Sequence, residues 1–479
     1  MRPGAATLSN RTDNFVIGGL IVMTGVIMAV VLAAGDIGLG SLVAFLPVLV
    51  GIIGLIISNP YYGLLFYLHY SFFFIGLNRY IIGIPLGLSI DGVLFLTTLS
   101  MIFRLNKENV KKLNTGVFYT TLIWFLYTLS ELFNPEATNM QAWFYAVRGV
   151  SLYAVQTIPL TLLLLDKKEH LNGFIKTVLI WGLVSSAWGW KQVNIGTDPF
   201  EDGWLESGGK ITHVLFGQLR AFSFFSDAGQ FGVTMAYIAF LAGILGLGPY
   251  SFNRKMAYFV ISFICLMGMG VSGSRGPIFV ILFGGLTYLL LIRSYRILIP
   301  GLAITIVIFI FLKFTFIGNA NYQIYRIRSA LDPKEASLLV RLTNQDKISA
   351  YLADRPFGAG IGTTDVWALR FYPGSTLTNL PTDSWFVKIW VENGVVGLIF
   401  YAFSLAFVIV FGVVKLRLLK NPDTKQKMIA LYGGFLGIVA ASFGNPVFGQ
   451  APLGAIMYIS MTMLCTAEKY DEAIPELKT

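Results

Sequence analysis

Apolar runs of about 20 residues recur along nearly the whole chain, and that is the length a helix needs to cross a hydrocarbon core. They fall at 15–35, 38–58, 61–77, 85–103, 115–132, 142–165, 172–190, 231–248, 256–272, 276–292, 297–316, 394–414, 428–444 and 451–466. That is about fourteen spans, or about twelve if the Gly- and Pro-broken runs 61–77 and 85–103 are set aside. Backbone N–H and C=O groups find no water inside a bilayer, so this pattern predicts an all-α, polytopic transmembrane helical bundle.

Composition excludes the alternatives. Of 479 residues, 55% are hydrophobic and 13% charged, with a mean hydropathy of +0.70. A soluble domain carries roughly 25% charged residues. A soluble enzyme, a disordered chain and a fibrous protein are therefore excluded. The formal net charge of +10 reads as topological, with Lys and Arg holding loops on the cytoplasmic side, and no nucleic-acid partner is expected. Cys265 and Cys465 sit in separate apolar runs and make neither a disulfide framework nor a metal cage. His69, His170 and His213 are too scattered for zinc. No metal and no cofactor are expected. The first apolar run, starting near Phe15, has no A-x-A site after it and reads as a retained span.

The basic residues orient the bundle. Arg104, Lys107, Lys111 and Lys112 form one cluster, and Lys415, Arg417, Lys420, Lys425 and Lys427 another. Lys167/Lys168, Arg254/Lys255 and Arg293/Arg296 form shorter ones. With fourteen spans all of them share a side with both termini, and the positive-inside rule makes that side cytoplasmic. The chain then divides into N-terminal spans (1–190), spans carrying two arginine motifs (191–316), a large extracytoplasmic loop (317–393), and C-terminal spans with a cytoplasmic tail (394–479). The loop is too polar to span. Its amphipathic stretch SLLVRLTNQDKISAYLAD (337–354) predicts a small helical cap. The absence of an internal repeat weighs against an inverted-repeat transporter.

Three outer-face pieces carry candidate chemistry. QLRAFSFFSDAGQFG (218–232) holds Arg220 and Asp227, and GVSGSRGPIF (270–279) holds Arg275. There Pro277 suits a first helical turn, and small neighbours leave room for a bulky group. An interfacial arginine also serves simply by snorkelling to headgroups. Two arginines on the outer side run against the topological bias, however, and guanidinium pairs phosphate oxygens bidentately. A pyrophosphate at the outer leaflet is a suitable partner. The third piece is TDSWFVKIWVENGVVGLIF (382–400): Asp383-Ser384, nine residues, then Gly394-x-x-Gly397.

This last pattern resembles the motif of the O-antigen ligase and Wzy-type polysaccharide polymerase superfamily. In the ligases that motif opens with His, then Asn or Ser, nine residues and G-x-x-G. RAFSF (220–224) and SRG (274–276) resemble the family's two arginine motifs, in the same order. RPFGAGIGT (355–363) resembles its Pro- and Gly-bearing turn in the large outer loop. The resemblance covers about 190–445.

The family implies a glycan donor on undecaprenyl pyrophosphate at the outer face of the bacterial cytoplasmic membrane. An acceptor hydroxyl, on a glycan or a lipid, attacks the anomeric carbon, and undecaprenyl pyrophosphate leaves. The leaving group is already activated, so the protein must position bulky substrates and neutralise charge. Arg220 and Arg275 are expected to hold the pyrophosphate. Asp383 is expected to take the hydroxyl proton, with inversion, or to orient the acceptor; as the plain alternative it caps the following helix. Asp383 departs from the ligase His, and a carboxylate is the weaker base. That departure shifts the reading from ligase towards polymerase. His213, seven residues before Arg220, is a lesser candidate for a base or substrate contact. Polysaccharide-export or chain-length proteins are possible partners in such a system.

Three weaker candidates accompany these. Arg148, about a turn inside its span, is a substrate-binding candidate because an intramembrane charge is costly, with snorkelling as its plain alternative. Arg341 on the loop helix faces either glycan or water. Lys388 and Glu392, spaced i,i+4, are expected to pair on one helix. GAGIG (358–362) reads as a turn, Asn393-Gly394 as a bend into the twelfth span, and Trp385 and Trp390 as possible sugar-stacking rings. The competing class is a lipid-linked oligosaccharide flippase, whose charges would line a cleft through the bilayer midplane.

Overall fold

The computed structural model describes residues 37–81, 86–292, 295–319, 322–329, 332 and 335–471. The first predicted span, 15–35, and the end of the C-terminal tail lie outside them. Helices occupy the other apolar runs. In chain order they are α1 (Ile37–Ser58), α2 (Pro60–Leu77), α3 (Gly87–Ile102), α4 (Gly116–Ser130), α5 (Met140–Leu164), α6 (Lys168–Asn194), α7 (Ala228–Gly246), α8 (Phe252–Val271), α9 (Pro277–Leu291) and α10 (Tyr295–Phe314). The segment that follows forms α11 (Tyr322–Ser329), α12 (Ala336–Leu352) and α13 (Asp365–Phe371). The chain then closes with α14 (Trp385–Leu418), α15 (Pro422–Ala441) and α16 (Leu453–Cys465). The β-structure among the described residues is one tiny hairpin, Val214–Leu215 with Gln218–Leu219. The fold is an all-α bundle, and among the described residues five helices are long and apolar enough to cross a membrane.

Local signals set many of the helix starts. Asn59 accepts from the Tyr61 N–H with Pro60 at the first position, and Asn421 does the same for Asp423 ahead of Pro422. Thr115 and Asn139 cap α4 and α5. Such caps satisfy first-turn N–H groups that the helix leaves orphaned.

Packing follows side-chain size. Nearly all of α7 is buried, whereas α8 turns Phe259, Phe263 and Met267 outward. Apolar side chains on an outer face cost nothing against lipid, so interhelical attraction must come from close fit. Gly284 of α9 and Gly433 of α15 supply it: a methyl on either would meet the other's carbonyl oxygen at 3.1–3.2 Å.

The bundle has two chemically distinct ends. Lys112 pairs with Asp166 at 2.7 Å, Lys427 reaches Asn172 at 2.7 Å, and Tyr250 donates to Asp423 at 2.8 Å. Lys415 pairs with Glu468. The basic clusters at 104–114, 167–168, 254–255 and 415–427 thus gather where α7 ends and α8 and α15 begin. The other ends of α7, α8, α9 and α15 meet about 28 Å away, the length of α7 at 1.5 Å per residue.

There α14 is broken at Gly394 (φ 66°), so the bend expected at Asn393-Gly394 is present. The GAGIG turn wedges into it: Ala359 N–H donates to the Val391 carbonyl at 2.8 Å, and Val396 N–H to that of Pro356 at 3.2 Å. Gly358, Gly360 and Gly362 all have positive φ. At Gly397 an added methyl would strike the Tyr127 ring, whose hydroxyl donates to the Asn393 carbonyl at 2.7 Å. The two glycines of G-x-x-G are therefore a hinge and a close contact.

A methyl at Gly394 would run into the Pro356 carbonyl and the Gly358 amide, on top of a backbone conformation costing about 1–3 kcal/mol. Gly394→Ala should lower the melting temperature in detergent by several degrees. Wild-type melting would refute the wedge.

Candidate functional site

A cavity of about 960 Å³ opens among the helix ends remote from the basic loops. Arg220, Arg275, Arg341, His213 and Asp383, which lie far apart in the sequence, all line it. Arg148 does not.

Arg220 is placed by the hairpin. Phe216 and Gly217 both have positive φ, as a tight two-residue turn demands, and Arg220 N–H extends the pairing to the His213 carbonyl at 2.8 Å. Its guanidinium donates to the Thr212 carbonyl (2.9 Å), Ser274 Oγ (2.8 Å) and the Ser272 carbonyl (3.3 Å). The following loop is held from below by groups that sequence reading missed. Arg79 donates to the Ser223 carbonyl at 2.5 Å and to that of Phe225, with its guanidinium 4.4 Å from the Phe222 ring centre. Gln192 Oε1 accepts from Phe222 and Ser223 N–H at 3.1 and 2.7 Å, and its amide donates to the buried Glu201 at 2.6 Å. Burial pushes Arg79 down to about 10, with Glu201 opposing the shift, so it stays charged at neutral pH. No local pattern marks Arg79 or Gln192, because their partners are over a hundred and about thirty residues away.

Arg275 lies at the α8–α9 junction. Pro277 does occupy the first turn of α9. Of its small neighbours, Ser274 and Gly276 line the cavity with it, and Gly276 also lies against the Asn445 amide. Arg275 pairs with Glu335 at 2.5 Å, and Glu335 also caps α12 through the Leu338 N–H.

Asp383 sits 3.6 Å from Arg341 Nε. The cap of α14 is Ser384, which accepts from Val387 N–H at 3.5 Å, so the plain reading of Asp383 as that cap does not hold. Trp385 is buried, donating to the Tyr401 hydroxyl at 2.7 Å, and Trp390 packs against the small core of α12. Trp385 is thus withdrawn from sugar stacking. Lys388 does approach Glu392, at 3.8 Å, but lies nearer Asp365, at 3.2 Å.

Arg148 stands elsewhere, in a π turn of α5 (Arg148–Leu152). It pairs with Asp91 at 2.7 Å, and Tyr153 donates to the same carboxylate at 2.7 Å. An ion pair inside the bundle accounts for its charge without substrate. The lining residues missed include Arg326, whose Nε donates to the Gly273 carbonyl at 3.3 Å, Glu335, Asp332 and Asn445. Among the described residues the lining holds four arginines (220, 275, 326, 341) and four carboxylates (Asp227, Asp332, Glu335, Asp383). The N-termini of α7 and α9 border it, where the helix dipole favours anions. The arrangement suits a polyanion able to displace a carboxylate from a guanidinium, beside apolar flanks at Phe279, Phe283, Leu338 and Phe443.

Residues 257–402 match the protein family described as O-antigen ligase. Over 198 residues, 40% of this chain, the sequence is 29% identical to the O-antigen polymerase of Salmonella muenchen, and the match covers 46% of that protein. The chain thus spans less than half of that relative's length. The family match begins in α8 and ends in α14, and takes in Arg275, Arg326, Arg341 and Asp383.

His213 is buried edge-on to Trp204 and Phe222. Its Nδ1–H donates to the Gly209 carbonyl at 3.0 Å, leaving Nε2 as a buried acceptor with no partner among the described residues. Burial holds its pKa below 6.5, with Arg220 and Arg79 adding to the depression and the Gly209 bond and Asp227 opposing it. The neutral ring is the folded form. Its contribution is complete above pH 6.5 and is lost as pH falls from there through the depressed folded value. Wild-type melting temperature in detergent should therefore drop more between pH 7.5 and 5 than that of His213→Phe. Parallel curves would refute this.

Proposed function

Similarity to the O-antigen ligase and Wzy-type polymerase superfamily is the premise from which we propose that this protein polymerises lipid-linked glycan repeat units. The donor is a glycan on undecaprenyl pyrophosphate, and the site faces the outer side of the bacterial cytoplasmic membrane, with both termini cytoplasmic. The observation that carries this reading is the convergence of Arg220, Arg275, Arg326, Arg341 and Asp383 on one cavity with apolar flanks. The basic loops at the opposite end support the orientation.

The chemistry is a displacement at the anomeric carbon. Asp383 accepts the proton of an acceptor hydroxyl as its oxygen bonds to that carbon. The bond from the anomeric carbon to the pyrophosphate oxygen breaks from the opposite face, giving inversion. Arg220, Arg275 and Arg326 take up the charge that develops on the departing oxygens. Arg341 orients the Asp383 carboxylate. Phe279, Phe283 and Phe443 border the isoprenoid end. Glu335 occupies Arg275 until the pyrophosphate displaces it. The relative's name favours polymerisation; the family's description supports a second reading, transfer of a finished chain to lipid A-core or protein. A flippase fits less well, because the charges gather at one end and do not run along a midplane cleft.

The reconstituted protein given an undecaprenyl-pyrophosphate oligosaccharide should build a ladder of longer lipid-linked products. Transfer to a lipid acceptor without a ladder would select the ligase reading, and no product with no released lipid would count against the enzyme class. Arg220→Ala, Arg275→Ala and Asp383→Asn should each cut turnover by on the order of 100-fold or more with membrane insertion intact; wild-type rates would remove the residue concerned from the mechanism. Glu335→Gln should lower the KM for the donor several-fold, since a competing carboxylate is gone. A raised KM would contradict that competition.

A further inference from the structure

Asp383 is presented unusually. Its backbone lies in the left-handed region (φ 49°), which a non-glycine residue holds only where its surroundings over-determine it. Its side chain is 41% exposed, while Thr382 and Ser384 on either side are each 3% exposed. On the downstream side, Ser384 Oγ and the Trp385 N–H both donate to the Ser442 carbonyl, at 3.3 and 3.0 Å. On the upstream side, the Thr382 hydroxyl is shared between the two oxygens of Asp365, at 3.0 and 3.1 Å. Asp365 is itself left-handed (φ 54°) and receives Lys388 Nζ at 3.2 Å. Lys388 projects from the first turn of α14 and is braced by the buried Glu392 at 3.8 Å, whose carboxylate accepts the Thr364 hydroxyl at 2.5 Å. The path therefore leaves α14, crosses to the start of α13 and returns to the residue before Asp383. Neither Asp365, Thr382 nor Lys388 lines the cavity.

A buried ion pair is weak evidence of a stabilising role, because apolar packing serves stability as well or better. A paired polar network does, however, hold geometry, and the Thr382–Asp365–Lys388 part is paired throughout, whereas Glu392 Oε2 at its far end has no partner among the described residues. We infer that the Lys388–Asp365 pair, acting through the Thr382 hydroxyl, is the positioning device that fixes the Asp383 carboxylate in the cavity. This rests on the role given to Asp383 above. Thr382, Asp365 and Lys388 are positioning residues: Asp365 and Lys388 hold Thr382, the chain neighbour of Asp383.

The test separates positioning from packing. Thr382→Val keeps the shape and removes only the hydroxyl, and Thr382→Ser keeps the hydroxyl. With a lipid-linked oligosaccharide repeat unit as substrate, Thr382→Val should lower kcat on the order of 10- to 100-fold, the penalty of a slight misplacement. The donor KM should stay within about twofold, because the arginines are untouched, and Thr382→Ser should retain the wild-type kcat. Lys388→Met should follow Thr382→Val. A Thr382→Val protein with wild-type kcat, or one whose loss lies in KM, overturns the inference. Asp383→Asn is measured alongside. If Asp383→Asn is inactive and Thr382→Val fully active, only the positioning fails. If Asp383→Asn itself turns over normally, the role of Asp383 fails first.

Discussion

Inside hydrocarbon an unpaired backbone N–H or C=O has no water to turn to, and the irregular backbone of this site accordingly lies where helices end. The loop 212–227 precedes α7, the SGSRG turn separates α8 from α9, Asp383 precedes α14, and Ser442 to Asn445 follow α15. Because α7, α8, α9 and α15 alternate in direction, four such ends meet at one side of the bundle. The cavity is what lies between them. The opposite ends carry the lysines and arginines, with Lys112–Asp166 and Lys427–Asn172 tying them together.

The hollow is compensated rather than bare. Uncompensated guanidinium groups in a partly dry site are expensive, and Glu335 on Arg275 and Asp383 beside Arg341 meet that cost. Some carboxylates have structural duties as well: Asp227 caps α7 and Glu335 caps α12. At α14 the cap is Ser384, which leaves Asp383 to face the cavity. That division of labour between adjacent residues gives the Asp-Ser pair of the motif a physical meaning.

Parts of the site were legible because they are local. Arg220, Arg275 and Asp383 stand in short patterns, and Gly394 and Gly397 announce a hinge by residue type. Arg326 was missed because NYQIYRIRSA has no motif around it, and Asn445 because its neighbours, Gly229 and Gly276, come from other helices. Arg148 was overvalued for the converse reason. A charge in an apolar run looks functional until its partner is seen, and Asp91 lies 57 residues away.

The amino-acid order alone determined that the chain is an all-α membrane protein, where most of its helices run, and which arginines and carboxylate were worth following. Those properties depend on hydrophobic length and on spacing within a few turns, both of which are written along one dimension. Only the tertiary structure decided which charges neutralise each other, which aromatic rings are buried, and that Arg79, Gln192, Lys388 and Asp365 hold the loops on which the candidate groups stand. Those outcomes depend on contacts between residues distant in the chain, and the same side chain is a ligand, a brace or a cap according to what the packing sets beside it.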